Sequence, residues 1–240
     1  MLIASRNKWV AAALMFGVFG AIQGLIEVFR FAPKLFSQQQ LSEYPWITAF
    51  EHHLLQLLLT LVALGILSRG RFSEWGLNLR NHRRSLAGLL VFVPIYSLII
   101  LGWNVLPFIL QNRAPEFSYA LTTANVVGWL VYMGIFVGPS EELLFRGMIH
   151  TYLSKSWTGS LTVARVSIPW AGIPATVIFC LAHIDSVHIN WAQQLFAFGL
   201  GIYYSTMYER TGSLLNPILA HNYSDAVISA AGYAMYFWLR

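Results

Sequence analysis

The sequence predicts an all-α fold, a polytopic helical membrane protein with seven to eight transmembrane helices, and three observations predict it. Of the 240 residues, 57% are hydrophobic and only 10% are charged, whereas a soluble domain averages roughly a quarter charged. Apolar runs close to twenty residues long, the length that crosses a bilayer, recur along the whole chain. Aromatic residues make up 15%, with nine Trp and eleven Tyr, as belts at two membrane interfaces require. Nothing between the runs is long enough for a soluble domain, so residues 1–240 read as one integral membrane domain.

The first span is 9–29. Arg6 and Lys8 precede it in the manner of a signal peptide, but the apolar character resumes after Gln23 without a small-x-small cleavage site, so it reads as a retained signal anchor. Further spans are expected at 51–68, 85–110, 121–138, 168–184, 190–209 and 213–239. Pro139 is expected to break the fourth span, and Ser140 to cap a new amphipathic helix over 140–154, which is the candidate eighth crossing. Pro169, Pro174 and Pro217 read as ordinary helix boundaries, and Trp191 with the Tyr203-Tyr204 pair as interface anchors.

Charge placement orients the first half of the chain. Arg6 and Lys8 lie two spans away from a loop at 69–84 that carries Arg69, Arg71, Arg80, Arg83 and Arg84, so both regions can face the cytoplasm. Between them, Arg30 and Lys34 are balanced by Glu43 and Glu51. The topology beyond residue 140 stays open. The formal charge of +5 fits these loops and anionic lipid. No basic stretch alternates with exposed aromatics, so nucleic acid is not an expected partner. Cys180 is the only cysteine, which rules out an intrachain disulfide and multi-cysteine metal sites, and it reads as a small core residue.

Ionisable groups at membrane depth are costly and are functional candidates by default. Pro139-Ser140-Glu141-Glu142-Leu143-Leu144-Phe145-Arg146 holds two glutamates and an arginine. Glu142 and Arg146, four apart, share a helix face and suit an ion pair, while Glu141 lies about 100° around the helix and escapes that arginine. The bland alternative is an acidic first turn that only favours the helix dipole. His183 ends a second apolar run, where it could equally be an interfacial histidine; Asp185 and His188 follow as weaker loop candidates. His221 and Asp225, four apart, lie inside the last apolar run, where Asp225 could simply satisfy a buried histidine.

Two chemistries need one free carboxylate and two histidines on separate membrane helices. In one, Glu141 is a general base on water and a histidine positions that water. In the other, Glu141, His183 and His221 bind a divalent metal such as zinc. The first is favoured, with no cofactor. HExxH, GxSxG, P-loop and GxGxxG patterns are absent, and the only two aspartates do not form a membrane aspartyl pair.

Together, EELLFR, FCLAH and HNYSD fit EExxxR, FxxxH and HxxxN/D in that order. The chain thereby resembles the CPBP family, the CAAX-protease and bacteriocin-processing (Abi) group of intramembrane endopeptidases, over about residues 121–230. The resemblance implies peptide-bond hydrolysis in membrane-associated or CAAX-like prenylated substrates. By it, Glu141 and His183 activate the water, His221 and Asp225 hold it or stabilise the oxyanion, and Glu142 with Arg146 supports the site. Eukaryotic members carry Asn where this chain has Asp225, and an ionised aspartate donates no hydrogen bond, so Asp225 suits orienting His221 or favouring a metal. A bacterial cytoplasmic membrane is the expected location. The rivals are a non-catalytic immunity or binding protein on the same scaffold and a small proton-linked transporter; the latter lacks the repeated halves such folds show.

Overall fold

The computed structural model describes residues 7–30, 36–184 and 189–240; Arg6, Lys34, Asp185 and His188 lie outside them. Among the described residues, eight α-helical elements follow in order. They are α1 (Lys8–Arg30), α2 (Gln38–Glu43), α3 (Trp46–Ser68), α4 (His82–Gln111), α5 (Thr123–Leu153), α6 (Gly172–Ala182), α7 (Trp191–Thr211) and α8 (Leu215–Trp238). Among the described residues, α1, α3, α4 and α5 are long and apolar enough to cross a membrane. Helices α7 and α8 are 21 and 24 residues long and carry more polar side chains, because they line the interior described below.

Several elements differ from the sequence expectation. The span expected at 168–184 is shorter: its first two residues end an antiparallel hairpin, β1 (Ser160–Val163) and β2 (Val166–Pro169), and only the eleven-residue α6 is helical. Ala164 and Arg165 both adopt positive φ, the turn geometry that suits a two-residue hairpin but is usually announced by Asn or Gly. Its absence from the sequence hides the hairpin.

The larger correction concerns Pro139. Helix α5 does not stop there, and 140–154 is no separate amphipathic helix: residues 123–153 form one continuous helix. Two π-helical stretches, Tyr132–Val137 and Leu143–His150, flank the α-helical turn Gly138–Glu142. Ser140 is not a cap; its hydroxyl donates to the Val137 carbonyl within the helix. All residues from Leu143 to His150 are buried, so this half of α5 is a central strut packed on every side.

A cross-helix hydrogen bond explains why the proline is tolerated. Pro139 has no N–H for the carbonyl four residues earlier, and that carbonyl, on Ile135, accepts instead from Asn222 Nδ2 of α8 at 3.4 Å. Asn222 Oδ1 in turn accepts from the Gly138 amide at 2.7 Å. Gly138 must be glycine for this approach, since a Cβ there would lie 2.7 Å from the Ile218 carbonyl oxygen. Asn222→Leu should therefore strand the buried Gly138 amide and free the part-buried Ile135 carbonyl, destabilising the fold by about 1–3 kcal/mol, read as a lower unfolding midpoint in detergent.

Candidate active site

Glu141 sits at mid-helix in α5, 12% exposed, and three histidines from three other helices approach its two oxygens from different sides. Oε1 accepts from His53 Nε2 of α3 at 3.0 Å. Among the described residues Oε2 has no hydrogen-bond partner; it lies 3.9 Å from His183 Nε2, just past the end of α6, and 3.8 Å from His221 Nε2 of α8. Each of these two gaps is too long for a direct hydrogen bond, and one water molecule spans such a gap.

The ring nitrogens facing away define what the facing ones offer. His183 Nδ1 lies 2.8 Å from the Phe179 carbonyl; a carbonyl only accepts, so Nδ1 carries the proton and the neutral ring turns the Nε2 lone pair toward Glu141. His221 Nδ1 donates to Glu142 Oε1 at 2.7 Å, and its Nε2 faces Glu141 and also Asp225 Oδ2 at 3.5 Å. His53 Nδ1 lies between the Ala49 carbonyl at 3.0 Å and the Tyr132 hydroxyl at 2.7 Å. If Nδ1 accepts from the hydroxyl, the neutral ring carries its proton on Nε2 and donates to Oε1 of an ionised Glu141; if Nδ1 donates to the carbonyl, Nε2 donates to Oε1 only from the doubly protonated imidazolium.

The layer behind the histidines is built by the second glutamate. Glu142 and Arg146 are both fully buried, and Arg146 Nη1 donates to Glu142 Oε1 at 2.8 Å. The other guanidinium nitrogen, Nη2, donates to the Gly201 carbonyl of α7 at 3.1 Å. The guanidinium carbon lies 4.6 Å from the Phe179 ring centre and 5.1 Å from that of Tyr204. Tyr204 also stacks on His221 at 5.2 Å with only 16° between the planes. It is fully buried, so it is a wall of the site rather than the interface anchor expected from sequence. Tyr203 stacks on Phe92, while Trp191 is 74% exposed. Cys180 is half-buried against the main core.

Two cavities meet at this cluster. One, of about 800 Å³, has a mixed lining, the more polar of the two, and reaches Glu141, His53 and His183 past Gln23, Gln56 and His52. The other, of about 440 Å³, reaches His183, His221 and Asp225 past Tyr96, Trp103 and Phe196. An apolar groove of about 450 Å³ continues it between α4 and α7. His183 lines both cavities.

The sequence candidates Glu141, Glu142, Arg146, His183, His221 and Asp225 are thus brought together. Asp225 meets His221 rather than Glu141. His53 was missed; a His52-His53 pair near the start of an apolar run was the available signal. As metal donors, Glu141, His183 and His221 have suitable chemistry. Yet among the described residues no group of three or more His, Cys, Asp or Glu side chains is arranged to hold a metal ion.

Residues 123–227 match the family described as type II CAAX prenyl endopeptidase Rce1-like. No curated protein and no solved structure matches the chain. The matched region contains all three motifs; with four helices long and apolar enough to cross a membrane among the described residues, the chain is an integral membrane protein that over residues 123–227 is similar to the Rce1-like CAAX proteases.

Proposed function

We propose that the chain is an intramembrane endopeptidase of the glutamic type, acting on peptide segments of membrane-associated substrates, with Glu141 as general base. The observation that carries this reading is the placement of Glu141 Oε2 beside the Nε2 atoms of His183 and His221, where two cavities meet. A water in this gap gives one hydrogen bond to Oε2 and one to the His183 lone pair. Glu141 takes the proton as the water oxygen adds to the peptide carbonyl carbon. It then passes that proton to the leaving nitrogen as the C–N bond breaks, so the carboxylate is regenerated. His221 acts as an imidazolium throughout: Nδ1–H donates to Glu142, Nε2–H donates to the carbonyl oxygen that becomes negative without transferring its proton, and Asp225 orients it. No step is routed through a metal. Hydrolysis in a bilayer needs water and an unwound peptide; the polar cavity supplies the first, and the apolar groove accommodates the flanking segment of the second.

His53 holds Oε1 and so leaves Oε2 as the acting oxygen. Without it the carboxylate is free to rotate into the wide polar cavity, and a misplacement of about 1 Å costs on the order of 10²-fold. His53→Leu should therefore lower kcat by about that factor with little change in KM, while His53→Gln, which keeps an N–H donor, recovers most of it. The assay is cleavage of membrane peptides by purified protein in lipid nanodiscs, in heavy-oxygen water. The endopeptidase reading expects one heavy oxygen in the new carboxyl group. No cleavage across a broad peptide library would instead favour a binding or immunity protein.

A further inference from the structure

The two ends of the bundle differ in charge, and contacts between elements show which segments share each end. Trp157 Nε1 donates to the Lys8 carbonyl at 3.0 Å, Lys155 lies 4.5 Å from the Trp75 ring centre, and Arg84 Nη1 donates to the Arg210 carbonyl at 3.4 Å. The start of α1, the loop 69–84 with its five arginines, the end of α5 and the end of α7 are thereby gathered on one face. At the opposite face, Asn125 Nδ2 donates to the Glu43 carbonyl at 3.0 Å, and the Tyr119 and Tyr233 hydroxyls meet at 2.7 Å. In sequence, the connections and chain end of that face carry Arg30, Lys34, Arg113 and Arg240, and Arg113 is paired with Glu116. Glu27, Glu43 and Glu51 belong to the same end. An excess of Lys and Arg in short loops marks the cytoplasmic side, so the arginine-rich face is cytoplasmic.

The large polar cavity opens on the other face. Its walls include Glu27 near the end of α1, Pro45 and Thr48 at the start of α3, Trp129 near the start of α5 and Gln193 near the start of α7. Toward the cytoplasm the protein is closed. Trp75, Met148, Ile149, Leu153, Tyr208 and Leu214 are buried in one core cluster between the glutamates and the basic loops. Twelve residues separate Glu141 from the cytoplasmic end of α5, at most about 18 Å since the π-helical turns rise less than an α-helix, which keeps it well inside the bilayer.

The geometry points to a site that is served from the non-cytoplasmic face, with extended peptide segments of exported or externally supplied chains as its substrate class. C-termini of lipid-modified proteins held in the cytoplasm do not reach it. The orientation stands on charge and packing alone; the substrate class rests on the endopeptidase reading above.

The test labels single cysteines with a membrane-impermeant maleimide on spheroplasts of a bacterial host. In a Cys180→Ala background, Ser118→Cys in the loop before α5 should react before lysis, and Ser73→Cys in the arginine-rich loop only after it. The reverse pattern overturns the orientation. An epitope tag after Arg240 in the otherwise unaltered chain answers the same question should the cysteine variants fail to fold: the tag must be reached from outside. Thr48→Cys, on the cavity wall, should then lose hydrolysis when the reagent is supplied outside. Outward labelling with continued cleavage of a cytoplasmic reporter overturns the substrate class. Outward labelling with no cleavage by unmodified protein overturns the endopeptidase reading and leaves the orientation standing.

Discussion

Glu141→Gln is expected to lower peptide hydrolysis by about 10³-fold, within the range general-base catalysis supplies, while the protein stays folded in the membrane. Glutamine has nearly the same shape, and its carbonyl still accepts from His53 Nε2, which holds Oε1 at 3.0 Å. What it loses is the ability to take a proton at the position of Oε2, beside His183 and His221. The comparison of initial rates at matched amounts of folded protein checks this. Turnover close to wild type would remove Glu141 from the chemistry.

Arg146→Ala should produce the largest loss of stability, about 3–5 kcal/mol, as expected when one partner of a fully buried ion pair is removed. Arg146 is the only guanidinium touching Glu142 among the ion pairs of the described residues, and Glu142 is itself completely buried. The variant also loses the bond to the Gly201 carbonyl and the stacking on Phe179 and Tyr204. Among the described residues Glu142 then keeps only His221 as a partner, so this histidine, the proposed oxyanion donor, shifts as well. Arg146→Lys should restore only part of the loss, because one ammonium cannot reproduce the two-pronged contact. Unfolding in mixed detergent micelles, followed by tryptophan fluorescence, measures both variants.

The polar cluster was legible in the sequence because its parts are local. Glu142 and Arg146 are four apart on one helix, as are His221 and Asp225, and such pairs announce themselves inside apolar runs. His53 was not, because its partner Glu141 lies 88 residues away and a histidine near a span's end also reads as interfacial. Most helix positions followed from apolar length. The continuity of α5 did not, since a proline ordinarily stops a helix, and the compensating Asn222 sits on another helix. For the same reason Tyr204 was misplaced: its stacking on His221 and its bond to Ser224 join α7 to α8, and no local pattern records that. The proposed orientation starts from Lys8 and the arginines of 69–84, which lie two spans apart in the sequence. The face on which the cavity opens needed the packing of Thr48, Trp129 and Gln193 around it.

The most direct measurement is hydrolysis of a membrane peptide by purified wild type and Glu141→Gln, each after exhaustive chelation and again after zinc is added. Wild-type cleavage that survives chelation, gains nothing from zinc and vanishes in Glu141→Gln is the result expected of a glutamate-activated water. Cleavage lost to the chelator and restored by zinc would contradict it, and would make Glu141, His183 and His221 metal ligands instead.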